Sequence, residues 1–223
     1  MQKKIRVGIL ASGRGTDLQS IIDASEKGFI DAEVVVVVSD KNDVYALQRA
    51  EKHKIPACFI DAKGKTKTNH EQEIDTILRN HNVNLVVCAG YMRILTPWFV
   101  KKWSGNLINI HPALLPSFKG TNGQGDALEY GVKITGCTTH FMDEEMDHGP
   151  IILQAAVQVL QNDDRTSLAK RILDVEHQIL PRTIQLFAEN RLKIEGRKVR
   201  ILPGVSWKET QKVIPGVLYS EGY

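Results

Sequence analysis

Short apolar runs alternate with polar stretches through the first half of the chain. Five of these runs predict buried strands, which cover residues 5–10, 34–38, 57–60, 85–89 and 107–111. The stretches between them carry apolar residues at helical spacing and predict helices, which cover residues 18–22, 45–53, 68–81 and 97–103. The five consecutive valines at 34–38 predict a central parallel strand that is covered on both faces. The alternation predicts an α/β fold with an open, mainly parallel sheet flanked by helices.

The second half of the chain follows a different pattern. Residues 133–143 and 151–159 predict two antiparallel strands joined by an acidic loop. A long helix is predicted over residues 167–190, and Pro181 predicts a kink or a break in it. The C-terminal half is therefore expected to add an antiparallel extension to the parallel sheet.

The end of the chain predicts little regular structure. Residues 192–194 and 198–201 predict a small hairpin, and the segment after Leu202 shows no clear period. We therefore expect a single domain over residues 1–201 and a C-terminal tail over residues 202–223.

Composition excludes several classes of function. Hydrophobic residues make up 42% of the 223 residues, as in an ordinary globular protein, and the net charge of +3 is too small to predict nucleic-acid binding. The basic start at residues 1–6 precedes an apolar run that is too short for a signal peptide, and no run approaches the length of a membrane span. The three cysteines, Cys58, Cys88 and Cys137, are predicted to be free thiols in a reducing compartment. These features predict a cytoplasmic protein without membrane contacts.

A glycine-rich turn follows the first predicted strand. Residues 12–17 lie between that strand and a helix, where backbone N–H groups at a helix start bind phosphate well. The dinucleotide fingerprint requires a third glycine where Leu18 stands, so a mononucleotide phosphate fits better than NAD. The structural alternative is a plain tight turn in which Thr16 or Asp17 caps the helix.

Asn109 and His111 end the fifth predicted strand, directly before Pro112. Residues two apart on a strand face the same side, so an amide and an imidazole are presented together. Asp147 lies in the acidic run 143–150, and a carboxylate near the imidazole favours the charged ring. Such a trio can hold an oxyanion and manage a proton. Because it contains no covalent nucleophile, it predicts direct transfer of an activated acyl group to an amine.

These side chains also have structural alternatives. Ligands bind beyond the carboxyl ends of parallel strands, so the loops 11–15, 90–95 and 111–120 are expected to share one edge. The amide and imidazole could instead be a satisfied buried pair, and most of the acidic loop could be solvated surface. Thr138 and His140 share a strand face and could reach the same pocket, although packing explains them equally well. No ligand spacing predicts a metal site.

Four motifs carry a resemblance to a known family. In chain order they are GILASGRGT at residues 8–16, AGYMRIL at 89–95, NIHPALLP at 109–116 and DHGP at 147–150. Over about residues 4–200 the chain resembles the glycinamide ribonucleotide transformylases, which are folate-dependent formyltransferases of purine synthesis and one-carbon metabolism. The resemblance implies a Rossmann-like formyltransferase fold. It also implies a phosphate- and nucleotide-binding half over residues 1–105 and a catalytic, folate-binding half over residues 106–201.

The resemblance implies a role for each matching position. The catalytic trio is expected to be Asn109, His111 and Asp147. The ribonucleotide phosphate and ribose are expected to be held by Gly13, Arg14, Gly15, Thr16, Asp17 and Glu176. The folate pocket is expected to include Lys67, Met92, Arg93, Ile94, Leu95, Asp143 and Glu144. Asp17 departs from the family, which often has asparagine there, and Thr138 matches a small hydroxyl residue near the site.

The implied reaction is formyl transfer from 10-formyltetrahydrofolate, a cosubstrate, to the amine of glycinamide ribonucleotide. No metal is expected, and the partners are expected to be these small molecules, bound by a monomer or a homodimer. Two alternatives remain open at this point. The chain could hydrolyse the same formyl folate as a deformylase, or it could be a nucleotide-binding module without catalysis.

Overall fold

The computed structural model describes residues 4–204 and 213–223, and in these residues ten strands form one mixed sheet flanked by six helices. The strands are β1 (Ile5–Leu10), β2 (Ala32–Ser39), β3 (Ala57–Phe59), β4 (Leu85–Cys88), β5 (Leu107–His111), β6 (Ile134–Phe141), β7 (Ile151–Gln158), β8 (Leu192–Glu195), β9 (Lys198–Ile201) and β10 (Leu218–Tyr219). The helices are α1 (Thr16–Glu26), α2 (Tyr45–Lys52), α3 (Lys67–Asn80), α4 (Pro97–Lys102), α5 (Gly123–Tyr130) and α6 (Arg165–Ala188). None of the described helices is long and apolar enough to cross a membrane.

The sheet combines a parallel half and an antiparallel half, as the sequence predicts. Its order is β3-β2-β1-β4-β5-β6-β7-β9-β8, and β10 pairs with β7 beside this path. The strands from β3 to β5 are parallel, whereas β5, β6 and β7 run antiparallel to one another. The predicted hairpin is confirmed, since β8 and β9 pair antiparallel around a two-residue turn.

Each face of the sheet has its own hydrophobic core. Helices α1, α2 and α6 cover one face, and α3 and α4 cover the other. The valines of β2 alternate between the two, because Val37 packs into the first core and Val36 and Val38 pack into the second. This confirms the prediction of a central strand that is buried on both sides.

Three elements differ from the prediction. Helix α5 was not expected, because Gly123 and Gly125 lower helix propensity and the segment has little apolar periodicity. Pro181 does not break α6, which continues to Ala188. Proline removes one backbone hydrogen bond from a helix, but here Leu180 and Ile184 are fully buried and their packing stabilises the continuous helix.

The tail is the third difference. Residues 213–223 return to the sheet and form β10, a strand too short to leave a pattern in the sequence. The sheet therefore includes part of the segment predicted as a separate tail. Residues 205–212 of the tail and residues 1–3 of the basic start lie outside the described residues.

Candidate active site

A cleft of about 280 Å³ opens at the edge where β4 and β5 end. Of the residues predicted from the sequence, it is lined by Asp17, Met92, Arg93, Ile94, Leu95, Asn109, His111, Asp143, Glu144, Asp147 and Glu176. The loops after β1 and β4 meet directly, because the Ser12 N–H donates to the Gly90 carbonyl at 3.0 Å. The Ser12 hydroxyl also accepts from the Met92 N–H and donates to Asp40. The loops after β1 and β4 therefore share one edge of the sheet, as expected, and hydrogen bonds join them.

Asn109, His111 and Asp147 meet on one side of this cleft. The register of β5 and β6 brings Asn109 and His111 to the end of the sheet on the same face. Asp147 Oδ2 lies 3.4 Å from His111 Nδ1, and Asp147 Oδ1 accepts from Asn109 Nδ2 at 3.4 Å. The ring of His111 and the carboxylate of Asp147 are 3% and 10% exposed, so this ion pair is shielded from water.

Both nitrogens of the His111 ring face oxygen acceptors. Nδ1 faces Asp147, and Nε2 lies 2.8 Å from the Phe118 carbonyl oxygen. Only the charged imidazolium carries a hydrogen on each nitrogen, so this ring environment matches the charged form. The Phe118 carbonyl therefore accepts the hydrogen bond that an oxyanion in the cleft could accept instead.

His140 orients the amide of Asn109 from within the sheet. His140 Nδ1 donates to the Phe141 carbonyl at 2.9 Å, which leaves Nε2 as the acceptor for Asn109 Nδ2 at 3.1 Å. Burial lowers the pKa of His140, which agrees with a neutral ring in this role. His140 does not line the cleft; it contacts a residue that does.

The backbone at Asp147 is held in an unusual conformation. Its φ is +48°, a left-handed value that is uncommon outside glycine and often occurs at functional sites. The Gly120 N–H donates to Asp147 Oδ2 at 2.8 Å. Gly149 packs so closely that an added Cβ would lie 1.8 Å from the Phe141 carbonyl oxygen. These contacts fix where the carboxylate points.

The hairpin turn between β8 and β9 braces the same acidic loop. Arg197 donates to the His148 carbonyl, and its guanidinium lies 3.9 Å from Asp143. His148 Nδ1 in turn lies 2.7 Å from Asp143 Oδ2. On the other side of the loop, Glu144 pairs with Lys101 of α4 at 3.2 Å. The predicted folate-contacting carboxylates thus also anchor the loop that carries Asp147.

The predicted phosphate loop is packed against α2. Gly15 has a φ of +66°, and a Cβ there would lie 2.8 Å from the Ala46 Cα, so only glycine fits. The Ala46 N–H donates to the Gly13 carbonyl, and Arg49 Nε donates to the Arg14 carbonyl at 2.9 Å. Gly15 is the N-cap residue of α1 and has no side chain to bond the first turn. The Asp17 carboxyl group accepts from its own backbone N–H, and the neighbouring N–H groups at this helix start can face an anion. The alternative of a tight turn with Asp17 at the helix start therefore remains compatible with the structure.

Asp17 and Glu176 form a buried acidic pair beside this loop. Burial raises the pKa of Asp17 to about 6, although a backbone hydrogen bond offsets part of the effect. The pKa of Glu176 is raised well above its usual range, mainly because the group is buried and also because Asp17 carries a like charge. His177 Nε2 lies 3.7 Å from Asp17 Oδ1, and burial lowers the pKa of this histidine. The pair therefore holds protons more tightly than exposed carboxylates do.

Some predicted residues do not line the cleft. Gly13, Arg14, Gly15 and Thr16 lie beside it on the phosphate loop, and Lys67 is exposed at the start of α3. Thr138 is fully buried behind the cleft, where its hydroxyl donates to the Ala113 carbonyl and accepts from the Leu115 N–H. Thr138 is thus a packing residue for the segment after His111, as the structural alternative has it.

The cleft also includes residues that the sequence did not indicate. Gly120, Thr121 and Gln124 line it from the loop before α5 and from α5 itself, and Leu173 lines it from α6. Gly120 belongs to the loop 111–120 that was expected at this edge, whereas no pattern in the sequence marks Thr121, Gln124 or Leu173 as lining residues. No group of three or more histidine, cysteine or acidic side chains within residues 4–204 and 213–223 is arranged to hold a metal ion.

Comparisons with known proteins show which proteins this chain resembles. The family model described as formyl transferase matches residues 5–184. A phosphoribosylglycinamide formyltransferase of Haemophilus influenzae is 40% identical over 191 residues, which are 85% of this chain and 90% of that protein. A trifunctional purine biosynthetic protein adenosine-3 of Gallus gallus is 44% identical over 86% of this chain. The aligned residues span 19% of that much longer relative.

Solved structures of similar proteins give the same kind of match. The glycinamide ribonucleotide transformylase 1 of Symbiobacterium toebii is 46% identical, with a TM-score of 0.89, and the match covers 91% of this chain and 96% of that one. A formyltetrahydrofolate deformylase of Pseudomonas syringae is 30% identical, with a TM-score of 0.83, but only 66% of that chain is covered. The deformylase is therefore the more distant neighbour.

Proposed function

Because the chain belongs to the formyl transferase family, we propose that it transfers a formyl group from 10-formyltetrahydrofolate to the amine of glycinamide ribonucleotide. The products are formylglycinamide ribonucleotide and tetrahydrofolate, in purine biosynthesis. The observation that carries the proposal is the convergence of His111, Asn109 and Asp147. One carboxylate oxygen of Asp147 lies 3.4 Å from His111 Nδ1, and the other lies 3.4 Å from Asn109 Nδ2. The names of full-length relatives such as the Haemophilus influenzae protein favour transfer over hydrolysis.

In the proposed reaction the chain stabilises negative charge and supplies no nucleophile. The formyl folate provides the activated formyl carbon, which the ribonucleotide amine attacks. His111 Nε2–H and Asn109 Nδ2–H donate to the oxyanion that forms, and Asp147 orients His111 and favours its charged form. A water removes the amine proton, since no further base lies in the trio. For these bonds to form, the Phe118 carbonyl must leave His111 Nε2, and Asn109 Nδ2 must turn one hydrogen from Asp147 Oδ1 to the oxyanion.

The two substrates fit different parts of the cleft. The start of α1, with Gly13, Arg14, Gly15 and Thr16, suits the phosphate, and Asp17 and Glu176 suit the ribose beside it. The apolar side chains of Met92, Ile94 and Leu95 give the flat ring of the folate a wall to pack against. Arg93, Asp143 and Glu144 provide polar groups on that wall, and Lys67 remains a proposed contact for the anionic folate tail.

Location and assembly are proposals as well. The three cysteines are free in the structure, which suits a reducing compartment such as the cytoplasm. We propose that the chain works there as a monomer or a homodimer, with small molecules as its partners.

The test is an assay with the purified chain and both substrates. Loss of the formyl folate and release of formate are followed with and without glycinamide ribonucleotide. We expect loss of formyl folate only when the ribonucleotide is present, with little formate. Formate release without ribonucleotide would instead establish the deformylase alternative. Ribonucleotide binding with no turnover under any condition would establish a binding module.

A further inference from the structure

The C-terminal segment is bound to the sheet by specific contacts. In β10, Leu218 and Tyr219 pair antiparallel with Ala156 and Ala155 of β7. The Tyr219 and Tyr223 rings stack with centroids 3.9 Å apart, and both hydroxyls donate to Gln178 of α6. These contacts hold the segment at a defined register on β7.

The same segment fixes the backbone of Gln154. The Ser220 N–H donates to the Gln154 carbonyl at 2.9 Å, and the Gln154 N–H donates to the Ser220 hydroxyl at 3.0 Å. Arg182 Nε adds a bond to the Gly222 carbonyl at 2.8 Å, just beyond this pair. Gln154 is therefore held from the tail side by two hydrogen bonds to one residue.

The side chain of Gln154 reaches the segment that follows the catalytic histidine. Its Nε2 donates to the Leu115 carbonyl at 2.9 Å and to the Thr138 hydroxyl at 3.0 Å. The single hydroxyl hydrogen of Thr138 goes to the Ala113 carbonyl, so Thr138 must accept from Gln154. Because both partners are acceptors, the amide nitrogen of Gln154 must face them.

The segment held by Gln154 leads directly to the catalytic contacts. Three residues after Leu115, the Phe118 carbonyl accepts from His111 Nε2 at 2.8 Å. Two residues further on, the Gly120 N–H donates to Asp147 Oδ2 at 2.8 Å. A shift of this backbone would thus move groups that touch two members of the trio, and displacements of about 1 Å are enough to lower turnover.

We propose that Gln154 is a positioning residue for the catalytic loop over residues 113–120, and that the docked C-terminal strand β10 holds Gln154 in place through Ser220. The assignment rests on the proposed function for its effect on turnover. Its structural part, the ordering of the loop by the tail, is independent of which reaction the cleft performs.

Two substitutions in the full chain test the proposal from opposite ends. Gln154→Met keeps the length of the side chain and the backbone pairing but removes both donors to Leu115 and Thr138. Ser220→Pro removes the N–H and the hydroxyl that bind Gln154, without touching the loop. We expect Gln154→Met to lower kcat about tenfold and Ser220→Pro to lower it severalfold, with both KM values within about twofold of normal.

Hydrogen exchange provides a readout that does not depend on activity. The amides of Leu115 and Gly120 should exchange faster in both variants, whereas amides in β4 and β5 should keep their protection. The double variant should match Gln154→Met alone, because the tail acts through that side chain. Leu218→Ala is the matched control, since this side chain lies in the same strand, is 74% exposed and should change neither kcat nor exchange.

The outcomes separate the two proposals. Unchanged exchange at Leu115 and Gly120, or additive losses of kcat in the double variant, would overturn the positioning role. A wild-type chain that transfers no formyl group would overturn the proposed function instead. In that case faster exchange in the variants would still establish that the tail orders the loop.

Discussion

Asp17 is a position where the resemblance implies asparagine in many relatives, and its charge should oppose that of the ribonucleotide phosphate. Above its pKa of about 6 it is ionised near the start of α1, where the phosphate is expected to bind. Two like charges several ångströms apart in partly screened surroundings disfavour binding by on the order of 1 kcal/mol. We therefore expect Asp17→Asn to tighten ribonucleotide binding severalfold at pH 8 and to change little at pH 5, where Asp17 is neutral.

Calorimetric titration of both forms with glycinamide ribonucleotide at these two pH values measures this difference. The ionisation of the phosphate itself is common to both forms and cancels in the comparison. Folate affinity, measured in parallel, should be unaffected. Weaker binding by the asparagine form at pH 8 would mean that the Asp17 carboxylate makes a favourable contact and that the repulsion argument is wrong.

The same carboxyl group predicts how stability changes with pH. The pKa of Asp17 is about 6 in the folded chain against an ordinary value of 3.8, so the folded state binds the proton more tightly. Well below pH 3.8 both states hold the proton. Between pH 3.8 and pH 6 only the unfolded chain releases it, and the free energy of unfolding falls. Asp17→Asn should therefore stabilise the chain above pH 6 by on the order of 2 kcal/mol, and by almost nothing below about pH 3.

Urea unfolding of the wild type and Asp17→Asn at about pH 3 and about pH 7.5 checks this prediction. Glu51→Gln gives a control for the loss of one exposed carboxylate on α2, away from the cleft. Equal stability of wild type and Asp17→Asn at pH 7.5 would show that the buried carboxyl pair carries no penalty.

For individual residues, the sequence could predict which side chains meet but not which backbone groups those side chains contact. The strand period placed Asn109 beside His111, the acidic run 143–150 indicated Asp147, and the resemblance added Glu176. The Phe118 carbonyl at His111 left no signal, because every residue carries the same carbonyl group. Gln154 was missed for a related reason, since its partner Leu115 lies 39 residues away.

Among the elements, the start of α1 gives the sharpest stability test. Gly15 and Gly28 have nearly the same left-handed φ, +66° and +68°, but a Cβ at Gly28 meets nothing within 4 Å. Gly28→Ala should therefore lower the free energy of unfolding by about 1 kcal/mol from backbone strain alone. Gly15→Ala should lower it by about 1–3 kcal/mol more, because its methyl group collides with Ala46 of α2.

Denaturant unfolding of the two variants measures this difference, and ribonucleotide titration adds a functional readout. Gly15→Ala should weaken phosphate binding, whereas Gly28→Ala should leave it unchanged. Equal losses of stability would mean that α2 yields easily and does not brace the phosphate loop.

Most elements could be predicted from apolar periodicity, and the exceptions have physical causes. The strands of the parallel half are buried on both sides and leave unbroken apolar runs, as in Val34–Val38 of β2. Helix α5 contains two glycines and one fully buried apolar side chain, Ala127, so no period marks it. Pro181 misled the prediction because tertiary packing overrides local propensity inside a long buried helix.

For the whole molecule, the continuous sheet predicts cooperative unfolding. The proposed nucleotide-binding and catalytic halves meet where β4 pairs with β5, and α1 packs against α6 across the same boundary. We therefore expect one calorimetric transition, with equal calorimetric and van't Hoff enthalpies. Glycinamide ribonucleotide at about 100 times its Kd should stabilise the whole chain by about 2.7 kcal/mol and move this transition as one. Two separate transitions would show that the halves are independent domains.

The sequence predicts the overall architecture of the sheet better than it predicts the structure of the C-terminal tail. Alternating strands and helices, then two long antiparallel strands, predict a mainly parallel sheet with an antiparallel extension through short-range patterns, although not the order of its strands. The return of residues 213–223 to β7 depends on a two-residue strand and on tertiary contacts of Tyr219 and Tyr223. Such contacts cannot be derived from periodicity, which is why the tail appeared structureless in the sequence.

The proposed reaction depends most on His111 as the charged donor to the oxyanion. The direct measurement is ribonucleotide-dependent loss of formyl folate by His111→Ala, beside His81→Gln as a control. The His81 ring hydrogen-bonds the Ile77 carbonyl just beyond the end of α3, away from the cleft. We predict that His111→Ala lowers kcat by about two to three orders of magnitude while the control stays near normal, as expected for the loss of one oxyanion donor. A folded His111→Ala chain with near-normal turnover would contradict the account.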